Sequence, residues 1–373
     1  MIVGTPTEIK DHEFRVGMVP AIADALVRGG HTVLLQKGAG LGSGIPDEEY
    51  VAAGAQIVET PEEIWERSEM VIKVKEPIRE EYARLRSNQI LFTFLHLAAE
   101  PELTRVLLER KVLAVAYETI ELPGGSLPIL VPMSEVAGRM SIQVGARLLE
   151  RIHGGRGVLL SGLPGVPPAD VVIFGAGIAG INAARIAYGM GARVTVLDIV
   201  PEKLRTVSAL FQGQVTTVTS TPHSVDVLCR RADLLIGAVL VAGRSAPRII
   251  TREMLGLLKR GSVIVDISID QGGCAETSRP TTHSNPYYEV DGVLHYCVTN
   301  IPGAVPRTST FGLTNETFVY AVAMANHGMP AAIRQVTALA SGVNTFRGHL
   351  THRGVAESLN IPYVPLGEII GNA

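Results

Sequence analysis

Short apolar runs recur through the first 120 residues, separated by stretches with a helical pattern. The runs at 2–4, 32–36, 56–58, 70–74, 90–95 and 112–117 read as strands. Between them, helical stretches begin near Pro20, Asp47, Pro61, Arg79 and Pro101. Several open on a proline or an acid, as first helical turns do. Strands alternating with helices at this spacing predict a parallel sheet covered on both faces. Residues 121–132, ELPGGSLPILVP, read as a link, and a helical pattern follows over about 134–152. A second loop rich in Gly and Pro, 154–168, leads into further runs at 171–174, 193–197, 215–218, 234–238, 263–267 and 294–298. These predict about six more parallel strands. From Pro306 the pattern turns mostly helical, through 315–327 and 331–340, and His349 and His352 are expected on a solvated helix face. The C-terminal helices are too few for a core of their own, so they are expected to cross back and complete the first domain.

The most specific signal is residues 171–198, VVIFGAGIAGINAARIAYGMGARVTVLD. A strand pattern, a Gly175-Ala176-Gly177-Ile178-Ala179-Gly180 turn, a small-residue helix and a second strand make a complete β-α-β unit with a dinucleotide fingerprint. Gly175 allows the tight turn, Gly177 lets a pyrophosphate approach backbone N–H groups, and Gly180 lets helix and strand pack closely. The helix start presents unpaired N–H groups and a positive dipole end to phosphates. Asp198, 18 residues past Gly180, ends the second strand, where an acid accepts ribose hydroxyls and repels a 2′-phosphate. The expected cofactor is therefore NAD. No such turn follows any earlier strand. The predicted fold class is α/β, with two Rossmann-like doubly wound parallel-sheet domains separated by a cleft. The expected domains are a discontinuous substrate domain, 1–127 plus 307–373, and an NAD-binding domain, 128–306.

Bulk properties narrow the setting. Apolar residues make up 46% and charged residues 18% of 373, enough for large cores, buried parallel strands or an oligomer interface. A net charge of −3 gives no sign of a nucleic-acid partner. Cys229, Cys274 and Cys297 have no metal-ligand spacing and are odd in number, which suits reduced thiols in the cytoplasm. No apolar run of 18 residues is present and the N-terminus lacks a signal-peptide pattern, so no membrane association is expected.

In open parallel sheets ligands bind outside the carboxyl ends of the strands. The polar residues ending the apolar runs are Lys75, His96, Glu118, Asp270 and Asn300, and Arg15 lies in the loop after the first strand. Oxidation of a 2-amino or 2-hydroxy acid needs a cation for the substrate carboxylate and a group titrating near neutrality to take a proton as hydride leaves. If an imine forms, a carboxylate can orient the water that adds to it. Each residue also has a plainer reading. His96 can be a structural histidine, Lys75 a solvated lysine, and Arg15 a loop salt-bridge partner. Asp270, before Gln271-Gly272-Gly273, can be a turn-making Asx, and Glu118 a strand-end cap.

FRVGMVP (14–20), KVKEP (73–77), ILFTFLHLA (90–98), PMSEVAGR (132–139) and DISIDQGG (266–273) resemble alanine dehydrogenase. So do GAGIAG, RADLLIGAVL (231–240), RPTT (279–282) and VPRTST (305–310). The resemblance runs through almost the whole chain and weakens at 301–304, IPGA, and after 330. It implies NAD-dependent reversible oxidative deamination of L-alanine to pyruvate and ammonium. It also implies His96 as general acid/base, Asp270 positioning the catalytic water, and Arg15 and Lys75 holding the substrate. Ser134, Ser220, Val239, Val298 and Asn300 match cofactor-lining positions, and Lys203 one beside the adenosine ribose. Family members are usually hexamers, sometimes dimers, so a homo-oligomer is expected. A transhydrogenase-like NAD(H)-binding component and a non-enzymatic NAD-binding protein are the alternatives.

Overall fold

The computed structural model describes residues 1–239 and 246–371. The chain divides into two compact units, Met1–Met133 with Val305–Ala373, and Ser134–Ala304.

The first unit holds β1 (Ile2–Thr5), β2 (Thr32–Gln36), β3 (Gln56–Val58), β4 (Met70–Ile72), β5 (Ile90–Thr93) and β6 (Leu113–Ala116). All six are parallel, in the spatial order β3-β2-β1-β4-β5-β6. The apolar runs are continuous because both sheet faces are buried. Met70, Ile72, Ile90 and Phe92 enter one core, and Val71 and Leu91 between them enter the other. The connecting helices begin at Pro20, Asp47, Pro61, Arg79 and Pro101, the positions expected from the sequence. A proline there has no N–H to leave unpaired and a φ already suited to the helix.

The second unit holds β7 (Asp170–Phe174), β8 (Arg193–Asp198), β9 (Thr216–Thr219), β10 (Leu234–Gly237), β11 (Val263–Asp266), β12 (Tyr287–Val290) and β13 (Val293–Tyr296). Its parallel order is β9-β8-β7-β10-β11-β13, the same doubly wound order as the first. Val171 and Ile173 enter one core, Val172 and Phe174 the other.

The helix expected over 134–152 runs Leu130–Leu148, with a separate 3₁₀ turn at Arg151–His153. Two of its glycines let it lie close to its neighbours. A Cβ on Gly138 would stand 2.1 Å from the Ala179 carbonyl oxygen, and one on Gly145 2.5 Å from Leu234.

The sheets are mixed, not purely parallel. β12 pairs antiparallel with β13 at one edge of the second sheet. In the first unit, β14 (Val343–Phe346) pairs antiparallel with β6, and β15 (His349–Leu350) with β14. The tail was expected to be mostly helical, and His349 and His352 on a helix face. His349 instead lies in β15, and His352 caps the helix Arg353–Leu359, accepting from Val355 N–H. Its imidazole is depressed below the ordinary histidine value by burial, against the pull of Glu118 and Glu121. The helix Pro306–His327, in the stretch expected to be helical, buries Leu313, Tyr320 and Met324 in the first unit's core.

Candidate active site

The second unit presents a phosphate-ready turn. Gly175 has φ +101°, and a Cβ there would stand 2.4 Å from the Ala238 carbonyl oxygen. Gly180 passes the turn so closely that its Cβ would lie 1.8 Å from the Gly175 carbonyl oxygen. Gly177 differs, for a Cβ added to it meets nothing within 4 Å. It caps the helix Ile178–Gly189 without any side-chain partner, so space is open in front of the helix start.

Asp198 ends β8 and braces this turn. Its carboxylate accepts from Ala176 N–H at 2.8 Å and Val200 N–H at 2.9 Å, and Lys203 Nζ stands 3.9 Å away. Ser220 joins the same corner, donating its N–H to the Asp198 carbonyl oxygen. Ser134 lies one helical turn before Gly138, whose helix also meets Asn182 through Arg139 Nε at 3.0 Å. Val239 follows β10, and its carbonyl accepts from Ser268 Oγ at 2.7 Å. Val298 is buried after β13, and the Asn300 carbonyl accepts from His283 Nε2 at 2.7 Å. The residues expected to line a cofactor thus gather at the carboxyl ends of one sheet, apart from Ser134.

Asp270 is exposed in the 3₁₀ segment Ile267–Gln271 after β11. Asp266, at the start of this segment, makes an Asx turn of its own. Its fully buried carboxylate accepts from Ser268 N–H, Cys274 N–H at 2.8 Å and Ser278 Oγ at 2.6 Å. Asp266 thereby shapes the loop that carries Asp270.

In the first unit each candidate residue is held by a carboxylate. Arg15 donates Nε and Nη2 to Glu13 at 2.7 and 2.6 Å, both side chains being buried, and Nη1 faces Met133 Sδ at 3.2 Å. The pairing is bidentate and rigid. Glu8 accepts from Val74 N–H at 2.6 Å and Lys75 N–H at 3.4 Å, orienting the backbone that carries Lys75. Glu8 also pairs at 3.2 Å with Lys73, which is fully buried and donates to Glu81 at 2.9 Å. Burial alone would pull the Lys73 ammonium down, but Glu8 and Glu81 outweigh it and hold it raised.

His96 follows β5 with φ +50°, a left-handed conformation uncommon outside glycine. Glu118, in the 3₁₀ turn after β6, holds that backbone, accepting from His96 N–H at 2.6 Å and Leu95 N–H at 3.2 Å. The ring stacks on Phe94 with centroids 5.8 Å apart, and Phe94 meets Tyr117 edge-on. Glu76 Oε2 stands 3.5 Å from Nδ1, an ion-pair distance rather than a well-formed hydrogen bond. Burial depresses the imidazole, but Glu76 and Glu118 outweigh it, so it titrates above an ordinary histidine. The ring keeps 44% of its side-chain surface open, and solvent screens part of this effect.

Two family models cover nearly the whole chain. "Alanine dehydrogenase/PNT, N-terminal domain" matches residues 4–137, and "Alanine dehydrogenase/PNT, C-terminal domain" matches 141–353. The chain belongs to the alanine dehydrogenase/PNT family. Within that family it is 53% identical over 366 residues to an alanine dehydrogenase of Methanococcus maripaludis, covering 98% of each. It is 52% identical over 370 residues to one of Mycobacterium tuberculosis, covering 99% of this chain and 100% of that one. A solved L-alanine dehydrogenase superposes with TM-score 0.94 at 49% identity, over 96% of this chain and 99% of the other. A transhydrogenase from Sinorhizobium meliloti superposes with TM-score 0.80 at 24% identity, over 95% of this chain and 99% of that one, and shares the fold.

Several residues that hold the candidate side chains carry little signal in the sequence. Glu8 and Glu13 lie in a loop, Glu76 stands one residue past the polar end of its run at Lys75, and Lys73 lies inside the run 70–74. Asp266 was counted as part of its strand. The available signal was charge density, since DHEFR and KVKEP place acids next to the candidate cations. Leu240, in the motif 231–240, lies outside the described residues.

Proposed function

We propose that this chain catalyses the NAD-dependent, reversible oxidative deamination of L-alanine to pyruvate and ammonium. It is an amino-acid oxidoreductase. The observation that carries the reading is His96, braced by two carboxylates after β5, with Lys75 and Arg15 after β4 and β1 of the same sheet, in a chain that also bears an open glycine turn. The units are read as a substrate domain, 1–127 plus 307–373, and an NAD-binding domain, 128–306.

The residues present fit a dinucleotide. Gly177 leaves room at the helix start, and Asp198 offers the remaining acceptor capacity of its carboxylate to ribose hydroxyls while disfavouring a 2′-phosphate. Gly175, Gly180, Lys203, Ser134, Ser220, Val239, Val298 and Asn300 complete the proposed pocket. When bound, the nicotinamide supplies the hydride acceptor.

Arg15 holds the alanine carboxylate through its guanidinium, which Glu13 keeps in one orientation. Lys75 sits at the carbonyl oxygen that forms. The Cα–H bond breaks with its electron pair leaving as hydride, and the amine becomes an imine. His96 takes the proton released in this direction. Asp270 orients the water that adds to the imine and steadies the cationic intermediates. The C–N bond then breaks, leaving pyruvate and ammonium. Reversal uses the same groups in the opposite protonation states. The protein is further read as a cytoplasmic homo-oligomer, a hexamer by analogy with the family, which light scattering of the purified protein tests.

The deciding experiment is a steady-state assay of small 2-amino acids with NAD and NADP, and of pyruvate with ammonium and NADH. Alanine with NAD is expected to give the highest kcat/KM, with glyoxylate a weaker reverse substrate. Absence of both alanine oxidation and pyruvate amination sinks the reading.

A further inference from the structure

Glu76 is a buried carboxylate that meets Lys10 through one oxygen and His96 through the other. Lys10, from the loop after β1, donates Nζ to Oε1. Oε2 faces His96 Nδ1 at 3.5 Å and has no hydrogen-bond partner among the described residues. A buried carboxylate oxygen is costly to leave unmatched. The imidazole has little freedom to turn away, since Phe94 stacks on its face and Glu118 holds its backbone. Its Nδ1 edge meets a carboxylate, so Nε2 is the nitrogen left to exchange protons with a ligand.

We infer that Glu76 is a positioning residue for His96: it selects the tautomer protonated on Nδ1, makes Nε2 the reacting nitrogen, and is itself fixed by Lys10. The inference rests on the reading of His96 as general acid/base. The charged groups that bear on the ring are Glu76 and Glu118, which favour its protonated form, and Lys75, which opposes it. Lys10 acts from behind Glu76, and His352 lies beside Glu118. Burial pushes the Glu76 carboxyl up, yet His96, Lys75 and Lys10 bring it down to about 2. Glu76 therefore stays ionised across the working range and orients rather than takes the proton, as the acid behind a catalytic histidine does.

The test is Glu76→Gln in the full chain, with three readouts. The first is kcat and KM for alanine across pH. The second is the pH midpoint of His96 modification by diethyl pyrocarbonate, followed by peptide mass spectrometry, which reports the imidazole without turnover. The third is NAD binding by calorimetry. The expected result is a kcat loss of roughly tenfold to a hundredfold, the usual cost of an outer-shell partner. The modification midpoint and the acid limb should move together to lower pH, with NAD affinity unchanged. An unmoved midpoint and acid limb overturn the inference. If Glu76→Gln does not fold, Glu76→Asp keeps an acid for Lys10, and its expected loss of kcat with little change in KM carries the test; wild-type kcat there overturns it. A shifted midpoint in Glu76→Gln with near wild-type turnover in His96→Ala overturns instead the general acid/base reading.

Discussion

The two units wind their parallel strands in the same order, yet they leave their first strands in opposite ways. After β7 the chain turns within three residues, Gly175–Gly177, and enters a helix whose N-cap Gly177 makes no side-chain capping bond. After β1 it runs through a loop of 14 residues, 6–19, before the helix at Pro20. The tight turn contributes backbone donors and space, which suit a phosphate. The long loop contributes side chains, Glu8, Lys10, Glu13 and Arg15, and so a set of fixed charges. One architecture therefore presents backbone donors after its first strand in one unit and fixed side-chain charges in the other.

The comparison predicts that side-chain changes in the first unit cost activity or folding, and backbone-space changes in the second cost cofactor affinity. The largest effect is expected from His96→Ala, with turnover lowered by roughly two to four powers of ten and NAD affinity retained. Turnover near wild type would return His96 to a structural role. The same residue sets a pH signature. Its pKa is raised above the ordinary value, and the neutral form is the base, so alanine oxidation is expected to fall with an acid limb above about 6.5. A limb below that value contradicts the assignment.

Next comes Glu13→Ala, which removes the carboxylate paired with the buried Arg15 guanidinium. The expected cost is about 3–5 kcal/mol of stability, read as a drop in denaturation midpoint; an unchanged midpoint would show that the pair is not buried as described. Gly180→Ala should cost about 1–3 kcal/mol, because its Cβ would press on the Gly175 carbonyl. Unaltered melting there would contradict the packing of turn and helix.

Asp198→Ala strips the acceptor from Ala176 and Val200 N–H groups and should cost about 1–2 kcal/mol. It should also weaken NAD and narrow its advantage over NADP, and an unchanged ratio of the two Kd values would count against Asp198 reading the ribose. The smallest effect on stability is expected at Gly177→Ala, within about 0.5 kcal/mol, because a Cβ there meets nothing. NAD affinity should nonetheless fall, and full affinity would mean that the phosphates do not approach this glycine.

Much of the scaffold was legible. Four of the first five helices start at the prolines and acids that mark helix N-termini, and twelve of the strands fall on the apolar runs read from the sequence, within a residue or two at each end. The hairpin β14–β15 was not legible. Its strands are four and two residues long, and Val343 pairs with Val115, far away in the chain. The site was half legible. His96, Lys75 and Asp270 stood out as polar residues ending apolar runs, whereas Lys73 and Asp266 were absorbed into those runs.

What the sequence determined by itself was local: where strands and helices begin, and that the turn after β7 must be glycine. Backbone preference is set by a residue and its near neighbours, so a single chain displays it. What only the tertiary structure decided was which acid stands beside which cation. Glu76 and Lys10 are 66 residues apart, and Glu118 and His96 are 22. A buried charge needs a partner, but sheet order chooses that partner, and hydrophobic periodicity carries no record of sheet order.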